Sequence, residues 1–205
     1  QTLGNAIKRD RLAHAFLMTG VRGVGKTSTA RLIAKALNCI GEDGQGGPTI
    51  DPCGVCEPCR SIATGSFIDV IEMDAASHTG VDDVREIIEA VRYSSVSARY
   101  KIYIIDEVHM LSKNAFNALL KTLEEPPPHV KFIFATTEVH KVPITVLSRC
   151  QRFDLKRISA EQLSEHFGMI VGKEGVTAEQ EALDLIAQYN ISKIFMVPAA
   201  IQILL

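Results

Sequence analysis

The chain has 205 residues, 46% hydrophobic and 22% charged, enough to bury a core in one large domain or in one domain with part of a second. A formal net charge of −2 excludes an overall electrostatic footprint for nucleic acid, though not a local one. Residues 1–6 lack the pattern of a secretion signal, and the most apolar stretch, 195–205, is too short for a membrane span and holds Pro198 and Gln202, so the chain reads as soluble and cytoplasmic.

Lys8, Arg9, Asp10 and Arg11 read as a solvated helix end, and residues 14–19 as a short apolar strand. Gly20, Gly25, Lys26 and Thr27 then satisfy the spacing G-x-x-x-x-G-K-[ST] of a phosphate-binding loop. The glycines let the backbone wrap a polyphosphate without Cβ clashes, and the backbone N–H groups and the following helix N-terminus make an anion site. Lys26 would reach the β and γ phosphates, and the Thr27 hydroxyl would ligate Mg²⁺. Ala30, Ile33, Ala34 and Leu37 have helical spacing, which completes the strand, glycine loop, helix order the motif requires.

Residues 41–52 hold four Gly and two Pro and form a loop. Around it, Cys39, Cys53, Cys56 and Cys59 fit a closed tetrahedral zinc site, with disulfides or an iron–sulfur cluster as the alternatives. Cys150 is left over and reads as a buried thiol.

Residues 67–73 are predicted as a strand, and Thr79 with Asp82 as a capping box opening a helix through Val84, Ile87, Ile88 and Val91. Residues 101–105 form a buried strand ending in Asp106 and Glu107. Ligands sit at the carboxyl ends of strands in open α/β sheets, so Asp106 would face the Mg²⁺ held by Thr27. Glu107 would orient and deprotonate the water that attacks the γ-phosphate.

Ser112 is the expected cap of a helix over 116–123, ended by Pro126, Pro127 and Pro128. Residues 130–135 are another buried strand, ending at Thr136 and Thr137, either of which could bond the water or the γ-phosphate. Arg149 could act as an arginine finger on a neighbour's phosphate. Residues 151–155 make a further strand. The six histidines lack the spacing of a site; packing or a hydrogen bond is the expectation for His14 and His109. From about Ser159 only helices follow, the last opened by a capping box at Thr177 and Gln180, which sets a boundary near 158. Alternating strands and helices imply a parallel sheet covered on both faces.

These motifs together resemble the gamma/tau family of bacterial DNA polymerase III, the AAA+ ATPases of the sliding-clamp loader. The resemblance rests on His14 to Leu17, the loop 20–27, the four cysteines, residues 105–112, residues 117–127 and Leu147 to Cys150, and covers about residues 1–189. It implies a P-loop AAA+ domain over 1–158 with a parallel five-stranded sheet, a zinc-binding insertion at about 39–60, and the start of a small helical lid over 159–205.

It also implies ATP held by Gly20, Val21, Arg22, Gly23, Val24, Gly25, Lys26, Thr27 and Ser28, with Mg²⁺ on Thr27 and Asp106 and Zn²⁺ on the cysteines. Lys26, Asp106, Glu107, the sensor Thr136 and the finger Arg149 would be catalytic. The implied partners are the other clamp-loader subunits, the sliding clamp and primer–template DNA, in a pentameric hetero-oligomer. Nucleotidyl transfer would belong to a partner subunit.

A non-hydrolysing scaffold subunit of the same loader is the alternative. A branch-migration motor is a third reading, which the cysteines and Ser148 to Cys150 oppose. The chain reads as a fragment, lacking the family's adenine-holding N-terminal stretch. Where that family has a Gly-Ser-x-Arg-Asp lid sensor, residues 190–198 carry Lys193 and Pro198 but no arginine.

Overall fold

The computed structural model describes residues 2–9, 12–77 and 80–190. The elements in chain order are α1 (Thr2–Lys8), β1 (Ala15–Thr19), α2 (Lys26–Asn38), α3 (Glu57–Thr64), β2 (Val70–Asp74), α4 (Val81–Val91) and β3 (Lys101–Asp106). They continue with α5 (Lys113–Glu124), β4 (Val130–Thr136), α6 (Ile144–Leu147), β5 (Gln151–Asp154), α7 (Ala160–Lys173) and α8 (Gln180–Asn190).

The strands form one parallel sheet in the order β2-β3-β4-β1-β5. Position in the sheet explains the sequence of each strand. β1 and β4 lie inside it and are buried along their whole length, whereas the edge strand β2 is buried only at Val70 and β5 is half-buried to exposed throughout. The register lines up the carboxyl ends: Thr19 stands opposite Thr136 on one side and Asp154 on the other, and Asp74 opposite Asp106.

Alternation along the strands splits the core into two faces. Ala15, Leu17, Tyr103, Ile105, Phe132 and Phe134 pack with Val84, Ile87, Phe116 and Leu119 of α4 and α5. Against the other face lies α2, with Ala30, Ile33, Ala34 and Leu37 buried. Burying each large side chain contributes about 1.5–3 kcal/mol.

Two local expectations change. β2 starts at Val70, not 67, because the chain turns at Phe67, whose carbonyl accepts the Val70 N–H at 3.0 Å. The fully buried Asp69 anchors that turn by accepting the N–H groups of Val96, Ser97 and Ala98, each at 2.8 Å. The capping box at Thr177 does not form: α8 begins at Gln180, whose amide donates to Ser164 Oγ at 2.8 Å and Asp184 Oδ1 at 2.9 Å. A reciprocal box stands instead at Ser159 and Gln162, opening α7.

Ser112 Oγ accepts the Ala115 N–H at 3.2 Å and caps α5, which starts at Lys113. Thr79 lies outside the described residues; next to it Gly80 is the N-cap of α4, its N–H donating to Asp83 Oδ2 at 3.2 Å. Asp10, Arg11 and residues 191–205, with Lys193 and Pro198, are also outside the described residues.

The chain groups into two compact units: Gln1–Thr19 with Lys26–Asp154, and Gly20–Gly25 with Leu155–Leu205. The sheet and α1 to α6 belong to the first. In the second, α7 packs on α8 through the buried Leu163, Leu183 and Ala187. No helix among the described residues is long and apolar enough to cross a membrane.

Candidate active site and metal centre

The segment between β1 and α2 has the backbone its glycines predict. Gly20, Gly23 and Gly25 have φ of +147°, +79° and +93°, a region closed to most side chains. A Cβ on Gly20 would also stand 2.6 Å from the Leu155 carbonyl oxygen. Val21, Arg22 and Ser28 are exposed, and Lys26, the first residue of α2, is buried.

Within the first unit, the ends of α2 and β3 meet. Thr27 Oγ1 donates to Asp106 Oδ2 at 2.5 Å, and Lys26 Nζ lies 3.9 Å from Glu107 Oε1. Glu107 has φ +45° and ψ +45°, the one non-glycine residue with positive φ among those described. That conformation costs about 1–3 kcal/mol and is characteristic of functional sites. It is held by two bonds: Asp106 Oδ1 accepts the Glu107 N–H at 2.9 Å, and the Glu107 carbonyl accepts the Met110 N–H at 2.9 Å. The turn carries the Glu107 carboxylate across to the end of β4, where Oε2 accepts from Thr137 N–H at 3.1 Å and Thr137 Oγ1 at 3.0 Å.

Thr136 is fully buried, and its Oγ1 accepts the Glu138 N–H at 3.0 Å. Its other neighbour is His109, with Nδ1 at 2.9 Å. The hydrogen bond agrees with the expectation for His109, and its other near neighbours, Glu107 and Glu138, are also polar. No spacing rule flags it, because a 3-10 turn over Val108–Met110 decides where its ring goes. A histidine two residues past a strand-end carboxylate was the available signal. Glu138 joins the same cluster, and its carboxyl is held below its ordinary range, first by the hydrogen bond from Lys141 at 2.8 Å.

Arg149 follows α6, apart from these groups in sequence, and has partners within its own chain. Its guanidinium donates to the Thr145 carbonyl and to Glu124 Oε1, both at 2.6 Å.

The four sequence-predicted cysteines come together. The Sγ atoms of Cys39, Cys53, Cys56 and Cys59 all lie within 4.8 Å of one another, with Cys39 and Cys53 at 3.7 Å. A tetrahedron of zinc–sulfur bonds of about 2.3 Å has edges of about 3.8 Å, so the donor set fits the ion. A disulfide needs about 2.05 Å, and all of the cysteines are free. The backbone N–H groups of Cys56 and then Val55 lower the Cys53 thiol to about 7, whereas burial raises that of Cys59. Arg99 fastens this loop to the sheet, donating to the carbonyls of Leu37 at 2.8 Å and Gly46 at 2.9 Å. Cys150 is free, its thiol pushed up to about 12 by burial.

The parallel five-stranded sheet, the loop after β1 and the acidic pair after β3 define the class: this is a phosphate-loop α/β domain of the AAA+ fold. The Thermotoga maritima RuvB Holliday junction branch migration motor matches it with a TM-score of 0.58 at 20% identity, over 91% of this chain and 53% of that one, a likeness of fold alone.

The chain belongs to the family described as DNA polymerase III, delta subunit, whose model matches residues 1–159. It is 53% identical over 186 residues to the DNA polymerase III subunit tau/gamma of Haemophilus influenzae, covering 91% of this chain and 26% of that protein. To the DNA polymerase III subunit tau of Escherichia coli it is 52% identical over 186 residues, covering 91% and 28%. The chain thus spans little more than a quarter of the length of those relatives.

Proposed function

We propose that this chain is the ATP-binding and ATP-hydrolysing part of a DNA polymerase III clamp-loader subunit, working in the cytoplasm. The observation that carries the reading is the meeting of Thr27 with Asp106 and of Lys26 with Glu107 behind a phosphate loop. Residues 1–158 act as the AAA+ domain and 159–205 as the start of a helical lid. The polyphosphate lies on the backbone N–H groups of Gly20 to Ser28, and Lys26 neutralises its β and γ oxygens. The oxygens of Thr27 and Asp106, hard donors of the kind Mg²⁺ takes, would hold that ion, which would supply neutralisation of the phosphate charge.

Glu107 orients the attacking water and accepts its proton, with the carboxylate aimed by its left-handed backbone and by Thr137. Thr136 senses the γ-phosphate. Arg149 reaches the phosphate of the next subunit, exchanging its bond to Glu124 for that one. The four thiolates hold a structural zinc and leave no open catalytic position. A four-iron cluster would hold its thiolates apart on separate irons, which a set this close does not favour. The partners are the other loader subunits, the ring clamp and primed DNA, in a hetero-pentamer, with nucleotidyl transfer in a partner subunit.

A non-hydrolysing scaffold has no need of a strained glutamate beside Lys26. The test is ATP-dependent assembly of the full-length protein with the other loader subunits, followed by hydrolysis on adding primed DNA. Assembly and hydrolysis that ignore nucleotide and DNA would overturn the reading.

A further inference from the structure

We propose that His109 is a positioning residue for hydrolysis, tying the Thr136 hydroxyl to the Glu107 carboxylate. The inference rests on the hydrolytic reading above and adds to it a residue that touches neither phosphate nor water. The His109 side chain is only 6% exposed. Its Nδ1 stands 2.9 Å from Thr136 Oγ1 and 3.3 Å from Glu107 Oε2. At the far side of the ring, Nε2 lies 3.5 Å from Glu138 Oε1.

The hydrogen-bond inventory makes this a link rather than three chance approaches. Thr136 Oγ1 accepts the Glu138 N–H with one lone pair and has a second for an Nδ1–H, which also faces Glu107 Oε2, so in the Nδ1–H tautomer a single donor meets both acceptors. Glu107 Oε2 already accepts two bonds from Thr137. One imidazole nitrogen therefore sits between the hydroxyl at the end of β4 and the carboxylate beyond the end of β3. At 6% exposure the ring has little room to swing, and on its far side Nε2 faces Glu138, which Lys141 and the Thr136 hydroxyl oxygen hold in turn.

The chain runs from His109 through a single 3-10 turn to Glu107, so ring and carboxylate are also coupled through the backbone. A histidine retained for packing alone would face apolar side chains. This one faces three polar groups, two of them assigned to the reaction. When Thr136 shifts toward a γ-phosphate, Nδ1 must follow or lose its partner, and the setting of Glu107 changes with it. Sensing and water activation are then one coupled event.

The experiment uses full-length protein assembled with the other loader subunits and primed DNA. ATP affinity, single-turnover hydrolysis and thermal midpoint are measured for wild type, His109→Ala, His109→Asn, Thr136→Ala and Glu107→Gln. His109→Ala is expected to keep ATP affinity and midpoint while losing about 100-fold in hydrolysis, the scale of a 1 Å misplacement.

His109→Asn, whose amide reaches the place of Nδ1, restores much of that loss. Combining His109→Ala with Thr136→Ala costs little more than either alone, as residues acting as a unit do. Normal turnover in His109→Ala beside an inactive Glu107→Gln would overturn the proposal while leaving the hydrolytic reading intact. So would ATP affinity, midpoint and turnover falling together in both His109 variants, which marks a structural role. Normal turnover in Glu107→Gln removes the hydrolytic reading itself, and the His109 proposal with it.

Discussion

Thr27 Oγ1 donates to Asp106 Oδ2 at 2.5 Å although 79 positions separate them in the chain. The bond joins the first turn of α2 to the end of β3 and sets the two oxygens proposed to hold Mg²⁺ side by side. Asp106→Asn keeps the shape but removes the charge that a divalent cation needs. ATP affinity in Mg²⁺ should fall by roughly 10- to 100-fold, the scale of a charge-assisted bond, and become insensitive to chelation of Mg²⁺. Titration of the full-length protein with ATP, with and without Mg²⁺, checks this. Unchanged Mg²⁺ dependence in the variant would contradict the assignment.

The proposed zinc on the four-cysteine cluster predicts about one zinc per chain by elemental analysis. Cys59, fully buried, is the most demanding ligand to replace. Cys59→Ser should lose the zinc and lower the thermal midpoint, and a strong chelator should do the same to the wild type. A metal-free chain with wild-type stability would rule the site out.

Asp69 sets a pH dependence. Burial works to raise its carboxyl, but the N–H groups of Ser97, Val96 and Ala98 outweigh burial and hold it below the ordinary value. A depressed folded value means stability that is fully present above the unfolded value of about 3.9 and lost as pH falls through the folded one. Asp69→Asn should cost about 1.5–3 kcal/mol near neutral pH, because the amide cannot accept all three bonds. It should also flatten the fall in stability below about pH 4. Denaturant unfolding across pH measures both; a variant as acid-sensitive as wild type would contradict it.

Arg149 is paired with Glu124 at 2.6 Å in its own chain, so acting on a neighbour requires exchanging that partner. Arg149→Ala should leave ATP binding by its own subunit unchanged and cut DNA-stimulated turnover by about 10³-fold, as loss of an arginine finger does. Mixed assemblies locate the defect: it should appear at the neighbouring subunit's site. A defect confined to the mutated subunit would contradict a role in trans.

The central strands were legible because they are buried on both faces and read as unbroken apolar runs, as at Phe132, Ile133 and Phe134. The meeting of Lys26, Thr27, Asp106 and Glu107 was legible because a phosphate-loop motif has a fixed spacing and its acidic partners stand at a strand end. The start of β2 was not: Phe67 and Ile68 look like strand, but the turn there is set by Asp69 bonding residues 27 to 29 positions away. His109 was hidden for the same kind of reason. Its neighbours are Thr136 at the end of β4 and Glu138 just beyond it, and a single sequence gives no distance to them. The capping box at Ser159 was not expected, although it has the Ser-x-x-Gln spacing, and the similar spacing at Thr177 has no helix start to serve, since α8 opens three residues later.

The left-handed Glu107 is held between Asp106 and Thr137, and the proposed hydrolysis rests on it. The most direct measurement is single-turnover ATP hydrolysis by the full-length protein in its assembled complex with primed DNA, comparing wild type with Glu107→Gln. Binding should be retained, since the amide keeps the size and the bonds from Thr137, while hydrolysis falls by about 10² to 10⁴, the contribution of a general base. Wild-type hydrolysis by Glu107→Gln would contradict the account.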